Sequence, residues 1–188
     1  MPRLLLHVCC GPCGIYPLEL LQKDYEVTAF YYNPNIQPED EYKKRLATLK
    51  KYLTKNKIDL IEVEYNPQEH LQAIKGFEKN PDKRCPLCWQ LRLEKTAEYA
   101  AKNKYDFFTS TLLISPHQDI NKIKELSELA EKKYIVDFFD NSDMKTNKKY
   151  KGFRAGFTKS RKTAHEEKMY CQDYCGCVFS KMEKEQQI

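Results

Sequence analysis

The sequence contains no apolar run long enough to cross a membrane, since none approaches about 18 residues. It also lacks a positively charged leader followed by an apolar stretch ahead of the first predicted strand. These absences predict a soluble, cytoplasmic protein without a membrane partner. No internal repeat and no linker divides the 188 residues, a length that suits one domain. We therefore expect one domain over 1–188, with a basic C-terminal segment, 141–188, packed on it.

Acidic residues are absent from one stretch of the chain. Between Lys145 and Lys162 there are eight basic residues and no acidic one, so this stretch carries a charge of +8 while the rest of the chain carries −3. The net charge of +5 therefore comes from this stretch alone. Tyr150, Phe153 and Phe157 are interleaved with these cations. Cations neutralise phosphates and aromatic rings stack on bases, which predicts RNA contact, although a solvated helix face is the alternative. The residues assigned to this contact are Lys148, Lys149, Lys151 and Arg154.

Cysteine, in contrast, is abundant, with eight residues in the chain. A chain of this length can form a core without disulfide bonds, and thiols stay mostly reduced in a cytoplasmic protein. The cysteines are therefore interpreted first as metal ligands or redox groups. Thiolates prefer zinc, copper(I) or iron–sulfur clusters to magnesium.

Short β-branched, aromatic or apolar runs alternate with helical patterns along the chain. The predicted strands are residues 3–8, 26–32, 58–65, 105–111 and 134–139. Helices are predicted after the first strand, at 38–55, at 67–77, from the cysteine pair at 85–88 to 104, after 115–116, and at 153–169. This alternation predicts an α/β fold with a mostly parallel five-stranded sheet and helices on both faces.

Two cysteine groups are expected at the carboxyl edge of this sheet, where α/β folds bind their ligands. Cys9, Cys10 and Cys13 follow the first strand, and they meet Cys85 and Cys88 if strands 1 and 4 are neighbours. Cys10 and Cys13 form one C-x-x-C pair and Cys85 and Cys88 form another, and two such pairs predict a four-thiolate site. A zinc site would leave the fifth thiol idle, whereas a 4Fe-4S cluster with a neighbouring thiol or metal uses all five; plain buried thiols are the third alternative.

A third cysteine group, Cys175-Gly176-Cys177, lies near the end of the chain. One intervening glycine permits a strained local disulfide, and such disulfides carry electrons readily. Two core cysteines are the alternative, and Cys171 is either a resolving thiol or without a role. Among the histidines, His7 is expected in the core. The histidines expected at the surface are His70, His117 and His165.

The sequence resembles the epoxyqueuosine reductases of the QueH family. The similarity covers nearly the whole chain in order. The motifs that carry it are HVCCGPC at 7–13, YYNPNI at 31–36, RCPLC at 84–88, LRLEKTA at 91–97, TSTLLISP at 109–116 and QDYCGC at 172–177.

This resemblance implies the last step of queuosine synthesis, which is the two-electron reduction of the epoxide of epoxyqueuosine at the tRNA wobble position, without cobalamin. The partners implied are this tRNA and an electron donor, either ferredoxin-like or a thiol reductant. The implied fold is Rossmann-like, similar to the PP-loop ATPases. A serine- and glycine-rich pyrophosphate loop is missing where the cysteines stand, so ATP use is not expected.

The resemblance also implies site residues. A 4Fe-4S cluster is expected on Cys9, Cys10, Cys85 and Cys88, which leaves Cys13 to a second iron ion or the edge of the cluster. Cys175 and Cys177 are implied as a redox pair. Water formation needs a proton, for which the chemistry of the reaction makes Asp173, Tyr174 or His117 the candidate donor. The residues named as catalytic are Cys175, Cys177, Asp173 and Cys13. Two other functions are kept: a thioredoxin-like thiol oxidoreductase with a structural zinc, and a zinc-stabilised RNA-binding module.

Overall fold

A computed structural model describes residues 1–140 and 152–186. Its five strands form one parallel sheet in the order β3-β2-β1-β4-β5. The strands are β1 (Arg3–His7), β2 (Glu26–Tyr31), β3 (Asp59–Glu62), β4 (Phe107–Ser110) and β5 (Asp137–Phe138). The predicted α/β fold is confirmed, and β1 and β4 are neighbours, which was the condition for the cysteine groups to meet.

The described residues also form seven α-helices and two short 3-10 helices, of which the last two α-helices and the second 3-10 helix follow the last strand. The α-helices are α1 (Gly11–Leu21), α2 (Glu39–Lys55), α3 (Pro67–Ala73), α4 (Pro81–Lys102), α5 (Ile120–Tyr134), α6 (Phe157–Glu166) and α7 (Val178–Glu185). The 3-10 helices span Thr111–Ile114 and Phe153–Gly156. None of the described helices combines the length and the apolar character needed to span a bilayer.

Strand β1 lies at the centre of the sheet and separates two apolar cores. Successive side chains of a strand point to opposite faces. Leu4 and Leu6 accordingly pack in one core with residues of α1 and α2, while Leu5 packs in the other with Ala97 of α4 and Ala130 of α5. A strand that is covered on both faces needs a continuous apolar sequence, which explains the run from Leu4 to Leu6.

Several helix boundaries differ from the prediction. Helix α4 begins at Pro81, because the Asn80 side chain accepts a hydrogen bond from the Lys83 amide, so Cys85 and Cys88 lie inside the helix rather than ahead of it. Helix α5 begins at Ile120 with Asp119 as its cap, not at 115–116. The predicted helix 153–169 is a 3-10 turn followed by α6, and α7 was not predicted.

Helix α6 packs against α1, the helix that begins beside the first cysteine group. The Tyr16 amide donates a hydrogen bond of 3.1 Å to the Ser160 hydroxyl. The ring of Tyr16 covers Gly156 so closely that a Cβ there would lie 1.9 Å from Tyr16 Cδ1. The approach of the two helices therefore depends on a glycine at this position.

We expect Gly156→Ala to lower the free energy of unfolding by about 1–3 kcal/mol, because the added methyl group overpacks this contact. Urea denaturation followed by circular dichroism measures the change. The same substitution should lower the free energy of unfolding by less in a Tyr16→Leu background, where the ring is absent. Equal costs in the two backgrounds would contradict this account of the contact.

Candidate metal centre and redox site

The first cysteine group forms a compact triad at the carboxyl end of β1. The sulfur atoms of Cys9, Cys10 and Cys13 all lie within 4.8 Å of one another. Cys10 is buried and caps the first turn of α1, and its carbonyl accepts a hydrogen bond from the Gly14 amide at 3.2 Å. The strand-to-helix turn thus points three soft ligands at one place.

The 3-10 helix that follows β4 supplies a group that stabilises a thiolate in this triad. Thr111, directly after β4, accepts a hydrogen bond from the Cys9 amide at 3.1 Å and donates its hydroxyl to the Cys9 sulfur at 3.4 Å. Hydrogen bonds from Cys10, Cys13 and Thr111 hold the pKa of Cys9 well below its usual range. Burial raises the pKa of Cys10, so Cys9 loses its proton more readily than Cys10 does.

Gln172 also contacts the triad, and sequence reasoning gave it no role. Its side-chain amide nitrogen donates to the Cys10 sulfur at 3.0 Å and lies 3.9 Å from the Cys13 sulfur. Its oxygen is buried and has no partner among the described residues. Glutamine is not a usual ligand for soft metals, so only its position within the 172–177 motif could have indicated this contact.

The other site cysteines form a second group, on α4 and in the Cys-Gly-Cys loop. Cys88 and Cys177 are buried, Cys85 is half-buried and Cys175 is exposed. Burial raises the pKa of Cys88 to about 12, and the neighbouring Cys175, Cys177 and Cys85 add to this effect. Cys175 also lies within electrostatic range of Cys9. The two groups are thus neighbours, but the tight triad contains Cys13 rather than Cys85 or Cys88.

A buried arginine, Arg92, lies between the two cysteine groups. It is 2% exposed, and its Nε donates to the Cys88 carbonyl at 3.2 Å. Its Nη2 is buried and has no partner in the part of the chain described, where no carboxylate pairs with it. Its charge acts on Cys88, Cys175 and Cys9. A buried cation needs an anionic partner, so these residues fit a thiolate-bound, negatively charged iron–sulfur cluster.

A second buried arginine, Arg45, fixes the backbone of the Cys-Gly-Cys loop. Its Nη1 and Nη2 donate to the carbonyls of Cys175 and Tyr174 at 3.1 and 3.2 Å, and its Nε donates to Glu41 at 2.7 Å. Gly176 has φ +138°, and a Cβ there would lie 3.2 Å from Arg45 Nη1. The loop therefore requires glycine at this position for two reasons, its backbone conformation and its close approach to Arg45.

A third buried arginine, Arg84, holds the other end of the loop. Both of its terminal nitrogens bind the Glu183 carboxylate at 2.8 Å, which joins α7 to the start of α4. Cys177 caps α7, where its sulfur accepts a hydrogen bond from the Ser180 amide at 3.3 Å. The cysteine pair is consequently fixed from both sides, although both cysteines are free thiols.

The candidate proton donors lie around this loop. Asp173 is exposed and pairs with Lys184 at 2.8 Å, and this hydrogen bond lowers the pKa of the carboxyl group. The arrangement favours an ionised carboxylate, which accepts a proton rather than donating one. The Tyr174 hydroxyl donates to the Gln37 carbonyl at 2.6 Å, and His117 is exposed. The catalytic role of Asp173 stays a prediction.

Of the predicted RNA contacts, Lys148, Lys149 and Lys151 lie outside the described residues. Arg154 is described, and its Nη2 donates to the carbonyls of Ser115 and Gln118 at 2.9 and 2.8 Å. This side chain therefore holds the loop ahead of α5. Its contact with RNA stays a prediction.

The expectation for His7 is confirmed, and the one for His70 is wrong. His7 is in the core, where its ring nitrogens bind the Ser110 hydroxyl at 2.9 Å and the Tyr32 carbonyl at 3.1 Å. His70 was expected at the surface but is fully buried, because α3 packs against α4. Neither of its ring nitrogens has a partner among the described residues. Burial, together with Arg92 and Arg84, lowers the pKa of His70 to about 4.

The buried His70 predicts a loss of stability at low pH. Above about pH 6.5 the ring is neutral in both the folded and the unfolded chain, whereas between pH 6.5 and 4 only the unfolded chain takes up the proton. The free energy of unfolding should therefore fall as the pH is lowered from 6.5 to 4, and His70 should account for up to about 3 kcal/mol of this loss. In His70→Leu, the free energy of unfolding should depend less on pH, as measured by urea denaturation at each pH.

The exposed His165 provides the matched control, since His165→Leu should keep the pH dependence of the wild type. His7 is present in all three proteins, so its own contribution cancels. Identical pH profiles for His70→Leu and the wild type would contradict the buried, neutral state of this ring.

Comparison with known proteins identifies the family. A family model described as Epoxyqueuosine reductase QueH matches residues 4–183. A relative with that name from Dehalococcoides mccartyi is 35% identical over 97% of this chain and 94% of its own length. Another, from Haemophilus influenzae, is 36% identical over 95% of this chain and 71% of its own.

The fold is also similar to a solved structure from Methanocaldococcus jannaschii, described as a predicted subunit of tRNA methyltransferase. The TM-score is 0.50 at 13% identity, covering 90% of this chain and 93% of the other. This likeness concerns the fold alone. The family-model match and the two relatives show that this chain belongs to the QueH family of epoxyqueuosine reductases.

Proposed function

We propose that this protein reduces the epoxide of epoxyqueuosine at the wobble position of tRNA, giving queuosine. The observation that carries the proposal is the match, over nearly the whole chain, to relatives named for this activity. The position of the thiol triad supports it, because the triad lies at the carboxyl edge of a parallel sheet, where α/β enzymes bind their substrates.

The proposed cofactor is a 4Fe-4S cluster on Cys9, Cys10, Cys85 and Cys88. The free thiols support a negatively charged cluster at this place, as does the charge of Arg92, which has no carboxylate partner among the described residues. Such a cluster supplies single electrons and an iron that can act as a Lewis acid. We assign Cys13 to a second iron ion, and its closeness to Cys9 makes it the alternative cluster ligand.

Cys175 and Cys177 are the proposed store of the electron pair. Reduction of an epoxide to an alkene consumes two electrons and two protons and releases water. Oxidation of two thiols to a disulfide supplies two electrons and two protons, so the two half-reactions balance. Cys175 is the more exposed residue of the pair, so we assign to it the sulfur that an external thiol attacks when the dithiol is restored. The donor is therefore proposed to be a thiol reductant, with a ferredoxin-like protein as the second candidate.

The substrate is a tRNA, and the basic segment is its proposed binding surface. Lys148, Lys149, Lys151 and Arg154 are the phosphate contacts proposed from the sequence, in a stretch that has no acidic residue. The proposed location is the cytoplasm, since a reducing compartment keeps the thiols available as ligands.

Anaerobic turnover tests the proposed function. With a chemical reductant, the protein should convert tRNA carrying epoxyqueuosine into tRNA carrying queuosine, detected by mass spectrometry of the digested nucleosides. Cys175→Ser and Cys177→Ser should retain their iron but lose multiple turnover by at least about tenfold, because the electron pair can no longer be stored.

Lys181→Ala provides a control on α7, because this exposed side chain does not belong to either cysteine group. It should turn over as the wild type does. A wild-type protein that binds iron but leaves the epoxide intact would contradict the proposed activity. Normal turnover of both serine variants would restrict the cysteine pair to a structural role.

A further inference from the structure

A small cavity adjoins the thiol triad, and the residues on its far side from the triad have been given no role so far. Its walls come from four parts of the chain: the start of α1, the 3-10 helix after β4, the helix α6 and the segment ahead of the Cys-Gly-Cys loop. The lining residues that matter here are Cys13, Phe157, Arg161 and Gln172. The space inside it that is open to a water-sized sphere is about 40 Å³, so it encloses only part of a nucleoside and leaves the rest outside.

One end of the cavity is polar and belongs to the triad. Cys13 lines it, as does Gln172, whose nitrogen is bound to the Cys10 sulfur. The oxygen of Gln172 is buried without a partner in the described chain. A buried hydrogen-bond acceptor without a partner lowers the stability of the fold unless a ligand supplies a hydrogen-bond donor.

The other end of the cavity is formed by one face of α6. Phe157 and Arg161 are four residues apart, so they lie on the same side of the helix. The Arg161 guanidinium carbon is 6.0 Å from the centre of the Phe157 ring. An aromatic surface with an adjacent cation is the combination that binds a base and its phosphate.

Arg161 also differs from the other cations of α6. Lys159 is bound to Glu19 at 2.5 Å, and Lys162 lies 3.9 Å from Glu166. Arg161 is exposed, and no carboxylate of residues 1–140 or 152–186 lies within ion-pair distance of it. This charge is therefore available to a phosphate.

We propose that this cavity is the nucleoside subsite, which takes the flipped-out wobble base of the tRNA. Phe157 stacks on the base, Arg161 binds the adjacent phosphate, and the epoxide-bearing ring extends toward Gln172 and Cys13. Enzymes that modify a base in RNA need such an unstacked base within reach of their reactive groups. The proposal rests on the proposed function for the identity of the base, and it adds residues of α6 to the RNA contacts.

Binding and turnover of one RNA test the subsite. The probe is a fluorescently labelled anticodon stem-loop carrying epoxyqueuosine, titrated by anisotropy at several salt concentrations. Phe157→Leu keeps the apolar packing but loses the stacking ring. It should raise Kd and KM about tenfold at every salt concentration, with kcat and iron content unchanged.

Arg161→Glu and Lys162→Glu are a matched pair, since they make the same change of charge at neighbouring positions of α6. Only Arg161 lines the cavity. Arg161→Glu should weaken binding and reduce the log–log salt slope by about 0.7–0.9, whereas Lys162→Glu should have a much smaller effect. Equal losses in the two variants, or an unchanged Kd for Phe157→Leu, would overturn the subsite.

Wild-type turnover of the same RNA separates the two proposals. If the wild type reduces the epoxide while Phe157→Leu keeps the wild-type KM, the subsite is wrong and the reductase stands. If the wild type binds the RNA without reducing it, and Phe157→Leu and Arg161→Glu show the predicted losses, the subsite stands as an RNA site and the reductase is wrong.

Discussion

Three buried guanidinium groups hold the cysteine-bearing segments in place. Burying a charge costs several kcal/mol unless other groups compensate it. For Arg45 this compensation comes from Glu41 and two loop carbonyls, and for Arg84 from Glu183. Arg92 has the Cys88 carbonyl but no described carboxylate. The buried charge of Arg92 therefore needs negative charge from the thiols around it, and its positive charge in turn stabilises their thiolate forms. An anionic metal centre bound by these thiols is consistent with both requirements.

The sheet topology explains why these segments meet. Parallel pairing of β1 with β4 brings Thr111 against Cys9, and the central position of β1 places its following turn beside α4. The chain after α6 then returns across this edge, where Arg45 and Arg84 fix it. The candidate metal-binding thiols, the cysteine pair, the candidate proton donors and the cavity thus lie at one edge of the sheet. This suits a reaction that needs electrons, protons and a bound base together.

The sequence was sufficient for the parts that depend on local patterns. The apolar run of β1, the alternation of strands and helices and the cysteine spacing predicted the sheet and its cysteine-rich edge. Long-range pairing was not predictable in this way: Arg84 and Glu183 are 99 residues apart, and His70 was placed at the surface because its own helix carries no sign of what covers it. Helix α7 was missed because its capping residue, Cys177, was interpreted as a redox group or a core cysteine and not as a helix cap.

The central claim is that the thiols of this edge hold an iron–sulfur cluster. Metal and sulfide analysis of protein purified without oxygen tests it most directly. The account predicts about four acid-labile sulfides and about four to five irons per chain, the fifth being the second iron ion assigned to Cys13. Both should be sharply lower in Cys85→Ala and unchanged in the matched variant of the exposed Cys171, Cys171→Ala. A colourless protein that contains zinc and no sulfide would contradict it, and would favour a thiol oxidoreductase or a zinc-stabilised RNA-binding module.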